Sequence, residues 1–166
     1  MRYLLSLILT AAWALWFGAT IATFVFAIHL FRVHAGEVAS QANSAMFVVF
    51  GEYELVLAAV AILAAGMMLV SRPTKPLVVL LAALVFSGAV AMTAGMGLTP
   101  RMEILREQGK SHSDEFKRLH GRSMMAMTAQ SVLLLLCLPL IQSATSMRGE
   151  ENSVQREALD STTAAA

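Results

Sequence analysis

The sequence has little charge and a single cysteine. Asp, Glu, Lys and Arg make up 14% of its 166 residues, whereas an ordinary soluble domain carries about 25%. The formal net charge is only +1, which excludes the clustered excess of basic residues with which proteins usually meet nucleic acids. With only Cys137 present, no intrachain disulfide can form. We therefore expect no nucleic-acid partner and a fold held together without disulfides.

The sequence also lacks the short motifs that indicate common chemistries. It contains no glycine-rich phosphate loop, no paired-cysteine metal motif and no nucleophile elbow. Self-similarity at a period of about 20 to 50 residues, which marks repeat proteins, is absent as well. The sequence therefore favours a non-enzymatic role over an enzymatic one.

Apolar residues are what the sequence has in abundance. Hydrophobic residues make up 57% of the chain and the mean hydropathy is +0.67. Residues 3–31 contain no Asp, Glu, Lys or Arg, and this run exceeds the roughly 20 residues with which a helix crosses a bilayer. Further apolar runs over residues 44–71, 77–98 and 124–141 predict three more membrane spans.

We therefore predict an all-α, integral membrane four-helix bundle over residues 1–142, with a polar cap between helices 3 and 4. Pro100 is expected to close the third span. The fourth helix is expected to begin near residue 114, where Ser111 or Ser113 can cap it. After residue 142 the composition becomes rich in Ser, Thr, Glu and Ala, which predicts a disordered tail over residues 143–166.

Four successive crossings bring polar residues to one face of the membrane. The end of span 1, the start of span 2, the end of span 3 and the start of span 4 must all lie there, and we call it the site-bearing face. These four places contain His29, His34, Glu52, Glu54, Arg101, Glu103, Phe116, His120, Arg122 and Ser123. The opposite, far face has charges but no histidine and no acidic residue within a span. The sequence thus predicts a polar cluster at one mouth of the bundle.

Two acidic residues, Glu52 and Glu54, lie near the start of the second span. A carboxylate at membrane depth is costly, so it indicates a functional group that faces the bundle interior or a water-filled cavity. If the apolar helix instead begins near Leu55, both acids lie at the interface. Where the two side chains point apart, we expect Glu54 to be the one at the interface.

Three interpretations of the polar cluster stay open. His29 and His120 could ligate a haem iron, as in haem b, or bind a transition metal together with Glu52, because imidazole suits iron, copper and zinc. The acids and histidines could instead relay protons or handle a small solute, since histidine titrates near neutrality. In the third interpretation these side chains only hydrogen-bond neighbouring helices, as in a structural or interaction protein. The sequence favours this third interpretation.

The basic residues are divided unequally between the two faces. Seven lie on the site-bearing face: Arg32, Arg101, Arg106, Lys110, Lys117, Arg118 and Arg122. Five lie on the far face: Arg2, Arg72, Lys75, Arg148 and Arg156. This excess slightly favours a cytoplasmic site-bearing face. We expect a multi-pass protein of a bacterial inner or cytoplasmic membrane, whose partners are the lipid bilayer and other membrane proteins or a second copy of itself.

Three stretches resemble those of a known family. They are WALWFG at residues 13–18, TPR at residues 99–101 and FKRLHGRS at residues 116–123. Together they resemble the transmembrane protein 205-like proteins, also described as a domain of unknown function, DUF4149, over roughly residues 1–142. The most specific matches are Pro100, Arg101, Phe116, His120, Gly121 and Ser123. The resemblance implies a four-helix integral membrane protein without an established catalytic activity.

Overall fold

The computed structural model describes the backbone of residues 2–34 and 36–163 and the side chains of residues 3–34, 36 and 38–144. All of the regular structure in this part of the chain is helical. The elements are α1 Arg2–Val33, α2 Glu37–Ser71, α3 Lys75–Met92, a π-helical segment Thr93–Leu98, α4 Thr99–Glu107 and α5 Asp114–Thr163.

Four helical stretches are long and apolar enough to cross a membrane. They are Tyr3–Val33, Val38–Ser71, Lys75–Glu107 and Asp114–Ala144. The chain is therefore a multi-pass membrane protein, and the all-α four-helix bundle predicted from the sequence is confirmed.

The third membrane helix does not end at Pro100, where the sequence predicts its end. α3, the π-helical segment and α4 follow one another without a break, so one helix runs from Lys75 to Glu107. Proline has no N–H and clashes with the carbonyl four residues earlier in a regular α-helix. Just before Pro100, the Thr99 N–H donates to the Ala94 carbonyl five residues back. The wider π-helical turn thus replaces the regular hydrogen bonds to the fourth residue back just before Pro100, which could not have continued them.

The four membrane helices form a closed ring in which each packs on two neighbours. α1 packs on α2, α2 on α3, α3 on α5, and α5 on α1. Among the described residues, the backbones of the diagonal pairs α1/α3 and α2/α5 do not approach closely. Side chains must therefore fill the space between them. In the half of the bundle nearer the far face this filling is an apolar core that includes Trp16, Leu80 and Leu134.

A smaller apolar cluster holds the polar cap together. Met102 and Leu105 of α4 are buried against Leu119 of α5, and Leu98 and Phe116 pack on the same cluster. α4 is therefore fastened to the start of α5 by packing.

The end of α4 is a Schellman turn. Gly109 has a φ of 70°, a conformation that glycine adopts without the steric cost that a Cβ atom would add. Its N–H donates to the Arg106 carbonyl at 2.8 Å, and the Lys110 N–H donates to the Leu105 carbonyl at 2.8 Å. These two bonds satisfy the last carbonyls of the helix.

α5 begins at Asp114, with the Ser113 hydroxyl accepting a hydrogen bond from the Phe116 N–H at 3.2 Å. The helix does not stop at residue 142 but continues to Thr163, because extending an existing helix avoids the cost of nucleating a new one. The backbone of residues 143–163 is thus helical where the sequence predicts disorder. Side chains beyond Ala144 lie outside the described residues, and the domain boundary at residue 142 stays a prediction.

Candidate functional site

The most deeply buried carboxyl group of the described chain belongs to Glu54, whose side chain joins three helices. Glu54 lies on α2 and is 8% exposed. Its Oε1 accepts a hydrogen bond from the Thr20 hydroxyl of α1 at 2.8 Å. Its Oε2 accepts one from the Gln130 amide nitrogen of α5 at 3.0 Å. We call these three residues the Glu54 network.

Thr20 and Gln130 are almost completely sealed from solvent, at 0% and 1% exposure. The Gln130 Nε2 atom lies 3.4 Å from the Thr20 Oγ1 atom as well as bonding to Glu54. The Thr20 Oγ1 atom in turn lies 3.0 Å from the Trp16 carbonyl of its own helix. Because α2 and α5 face each other across the ring, the Glu54 to Gln130 bond spans the bundle interior.

The Glu54 network lies at membrane depth and nearer the site-bearing face. Thr20 follows Arg2 by 18 residues, and Glu54 precedes Arg72 by 18 residues. At about 1.5 Å per residue, both lie about 27 Å from the charges of the far face. Arg122 precedes Gln130 by eight residues, which corresponds to about 12 Å. On α1, Thr20 precedes Arg32 by 12 residues, which corresponds to about 18 Å. On both helices the network is therefore nearer the charges of the site-bearing face.

Apolar packing closes the bundle on the far side of Glu54. The next turns of α2 bury Leu57, Ala58 and Ala61, which pack in one cluster with Trp13, Trp16, Leu84 and Leu134. The Trp13 indole N–H donates to the Leu134 carbonyl at 2.8 Å and ties α1 to α5 just below the network. Polar contact between Glu54 and the far face is therefore blocked.

Two small cavities lie on the other side of Glu54. The inner cavity, of about 30 Å³, is lined by Glu54 and Gln130 together with Thr23, Thr99, Ser123 and seven apolar or glycine residues. The outer cavity, also of about 30 Å³, is lined by Asn43, Ser44, Phe47, Thr99, Met102, Arg106, His120, Ser123 and Met124. Phe47, Thr99 and Ser123 line both. The cavities are therefore neighbours, in line between Glu54 and the polar cap.

Glu54 is the one ionisable side chain among the described residues that line the inner cavity. The groups facing it there are hydroxyls and an amide, which donate and accept hydrogen bonds without carrying charge. Any change of charge in the lining of the inner cavity is therefore a change at Glu54 itself.

Two polar atoms beside the outer cavity are buried without a hydrogen-bond partner. They are the Asn43 Oδ1 atom, an acceptor, and the Arg106 Nε atom, a donor. The opposite end of the Arg106 guanidinium is paired, since its Nη1 atom lies 2.8 Å from Glu103 Oε2. Glu103 Oε2 also accepts a hydrogen bond from the Ser44 hydroxyl at 2.6 Å. Buried polar atoms without a partner are uncommon, and each calls for a physical explanation, of which a bound water is one. Two more such atoms among the described side chains are Trp16 Nε1 and Ser87 Oγ, on α1 and α3.

Stacked rings hold the rim of the outer cavity. The Arg106 guanidinium lies over the Phe116 ring, 5.4 Å from its centroid, a cation–π arrangement. The His120 ring also stacks on the Phe116 ring, with the two centroids 6.2 Å apart and an interplanar angle of 5°. His120 thus lines the outer cavity and is itself an exposed residue.

The structure reverses the predicted positions of the two acids. Glu54, expected at the interface, is buried in the bundle, whereas Glu52 is exposed on the outer surface beside Tyr53 and Val56. Helix phase explains the reversal. Glu54 lies one turn before Ala58 and two turns before Ala61, which are core residues, whereas Glu52 precedes the exposed Val56 by one turn.

The three predicted ligand residues are not gathered at one point. His29, Glu52 and His120 are all exposed, and the described residues contain no group of three or more His, Cys, Asp or Glu that could hold a metal ion. Ligation of haem by His29 and His120 stays a prediction. It is tested by the absorption spectrum of the purified protein, in which a Soret band should disappear in His120→Ala.

The other residues of the predicted polar cluster divide into two groups. Ser123 is buried between the cavities, and Phe116 is half-buried in the cap. Arg101 and Arg122 are exposed, at a level suited to lipid headgroups. Sequence reasoning missed Thr20, Gln130 and Asn43. For Gln130 a signal existed, because an amide inside an apolar span needs a partner within the bundle.

Comparison with known proteins gives one family. A family model described as a domain of unknown function (DUF4149) matches residues 11–111. The matched range includes Thr20, Glu54 and α4 and ends before α5. The predicted family is thereby confirmed, while the narrower resemblance to transmembrane protein 205 stays a prediction. No curated protein and no solved structure matches the chain.

Proposed function

The chain belongs to the family described as a domain of unknown function (DUF4149), and on that premise we propose that it is a proton-handling membrane protein. In this proposal Glu54 takes up and releases a proton from the site-bearing face. The observation that carries it is the position of the Thr20 hydroxyl, which lies within hydrogen-bond distance of both Glu54 Oε1 and the Trp16 carbonyl.

The Thr20 hydroxyl has one proton to donate and can also accept. When Glu54 is ionised, Thr20 donates to Oε1, and the Gln130 amide donates to Oε2. When Glu54 is protonated, its own O–H donates to Thr20, and the Thr20 hydroxyl turns to donate to the Trp16 carbonyl. The Gln130 bond to Oε2 is the same in both states. Rotation of a single O–H bond therefore satisfies either state without moving a heavy atom.

This pairing lowers the cost of changing the charge of a buried group. An unpaired buried polar atom costs about 1–3 kcal/mol, and a network that fitted only one protonation state would incur that cost in the other. The Glu54 network avoids it in both. A carboxyl group of this kind suits reversible proton uptake within a span.

Access to Glu54 is one-sided in this conformation. The cavities lead toward the polar cap, and the apolar cluster around Trp13, Trp16 and Leu134 separates Glu54 from the far face. The proposal is therefore proton exchange with one side of the membrane. Liposomes containing the protein should show no passive proton leak, because the closed far side interrupts conduction.

A structural role is the second candidate function, and it is favoured by the same bonds. Glu54 joins α1, α2 and α5, as the polar residues of membrane helices often do. Glu54→Gln separates the two candidates. Its amide can donate to Thr20 and accept from Gln130, which imitates the protonated state, so it preserves the link but carries no titrating proton.

Infrared difference spectroscopy of the reconstituted protein tests the proposal. A change of pH should alter a carboxylic-acid carbonyl band in the parent protein. The band should be absent in Glu54→Gln and present in Glu103→Gln, a control that removes a half-exposed rim carboxylate. A parent spectrum identical to that of a stably folded Glu54→Gln variant would leave only the structural role.

A further inference from the structure

We infer that the inner and outer cavities each hold a bound water, and that these waters with Ser123 connect Glu54 to the solvent of the site-bearing face. The use of this path for protons rests on the proposed function. The waters themselves rest on the cavities and on the polar atoms that line them.

The outer cavity has the features of a water site. Asn43 is 7% exposed, and its buried Oδ1 atom needs a donor. The buried Arg106 Nε atom needs an acceptor. A water molecule both donates and accepts, so one water in this cavity can satisfy both atoms. A cavity of about 30 Å³ exceeds the roughly 10–15 Å³ that a water needs.

The inner cavity offers a water still more polar partners. The carboxyl of Glu54, the amide of Gln130 and the hydroxyls of Thr23, Thr99 and Ser123 line it. The Thr23 and Thr99 hydroxyls donate to backbone carbonyls of Ala19 and Ala94, so their oxygens remain able to accept. A buried water typically makes about three hydrogen bonds, and this lining supplies at least that number.

Ser123 occupies the junction between the two waters. It is 8% exposed and lines both cavities, and its hydroxyl can accept from one water and donate to the other. Proton release then balances as a series of exchanges. For release, the Glu54 O–H turns from Thr20 to the inner water, and its bond breaks as that water gains the proton. The inner water gives a proton to Ser123, Ser123 gives its own proton to the outer water, and bulk water is the final acceptor.

The size of the path decides what it carries. Each cavity is about 30 Å³, which is room for water and not for an organic solute or a phosphate group. At the outer cavity, the charge of Arg106 is paired with Glu103, so the opening does not present an isolated cation. The class of substrate at this site is therefore the proton, carried by water.

X-ray radiolytic labelling tests the waters independently of any titration. Hydroxyl radicals generated from bound water oxidise adjacent side chains, and Met102 and Met127 line the outer and inner cavities while being 7% and 8% exposed. Both should be oxidised although they are buried. Cys137, fully buried in the apolar cluster, is the dry control and should stay unmodified. Met102 and Met127 labelled no faster than Cys137 would overturn the inference.

Exchange kinetics test the connection through Ser123. Ser123→Val fills the junction and removes its hydroxyl, and Ser131→Val makes the same change on α5 at a residue that lines neither cavity. After transfer into heavy water, the Glu54 infrared band should exchange at least about tenfold more slowly in Ser123→Val than in Ser131→Val. An equal rate contradicts the path. Absence of the band from the parent contradicts the proposed function instead, and the labelling result still decides whether the waters exist.

Discussion

The hydrogen bond between Glu54 and Gln130 can be measured as a coupling energy, and its size reports the charge on Glu54. We expect this from a double-mutant cycle of Glu54→Met, Gln130→Met and the double variant. Methionine approximates the length of both side chains and has no strong hydrogen-bonding group. Each single change leaves one buried polar partner unsatisfied, whereas the double change removes both at once.

The expected magnitudes follow from the 3.0 Å contact. Each single variant should lose about 1–3 kcal/mol of free energy of unfolding, because it leaves an unpaired buried group. The coupling energy should be about 0.6–1.7 kcal/mol when Glu54 is neutral, as for hydrogen bonds between membrane helices. It should rise to about 1.5–3 kcal/mol when Glu54 is ionised, since bonds to charged groups are stronger. The coupling should therefore increase with pH.

Reversible unfolding in mixed detergent micelles, followed by circular dichroism at several pH values, gives the four free energies. Trp13→Phe is the control, because it removes the bond from the indole N–H to the Leu134 carbonyl and involves no titrating group. Its cost should not vary with pH. If the Glu54–Gln130 coupling is equally independent of pH across the range in which the protein stays folded, Glu54 does not change its protonation there and the reasoning fails.

Three further predictions concern the polar cap. Gly109→Ala should cost about 1–2 kcal/mol of unfolding free energy, because φ is 70° there. Gly121→Ala is the control and should not destabilise the protein, since there is open space around its Cβ position; equal effects of the two changes in thermal melts would contradict the Schellman turn. Glu103→Gln should lower the free energy of unfolding by less than about 1 kcal/mol, and this loss should shrink at high salt, since the ion pair of Glu103 with Arg106 is partly exposed. A loss as large as that of Glu54→Met would mean that this ion pair stabilises the fold more than its exposure suggests. His112→Cys, at an exposed position between α4 and α5, should react with a membrane-impermeant maleimide in inside-out vesicles and not in intact cells, because the excess of basic residues favours a cytoplasmic cap. The reverse pattern would place the cap outside. Cys137 is buried and should give no background reaction.

The architecture was predictable from the sequence because membrane spans are set by long-range composition. A run without charge such as residues 3–31 has few alternatives to a helix across lipid. The crossing count then determines which loops share a face, without knowledge of any side-chain contact. What it cannot determine is how each helix is rotated about its axis, and that rotation decides which of Glu52 and Glu54 is buried.

The rotation of α2 did leave a trace in the sequence. Small residues that follow Glu54 at helical spacing, Ala58, Ala61 and Ala65, are buried, and small residues allow membrane helices to pack closely. Thr20 left no such trace, because a threonine can satisfy its hydroxyl within its own helix and needs no partner elsewhere. The cavities depend on side-chain packing between several helices, which the order of residues along the chain does not specify.

The π-helical segment has a mechanical consequence. A helix bends most readily where its regular ladder is interrupted, and in the third membrane helix that point is Thr93–Leu98, whose Ala94 and Gly95 border the inner cavity. A bend there would shift α4, together with the start of α5 on which it packs, relative to α3. Because the same segment forms part of the inner cavity, a bend in this one helix would change the space beside Glu54.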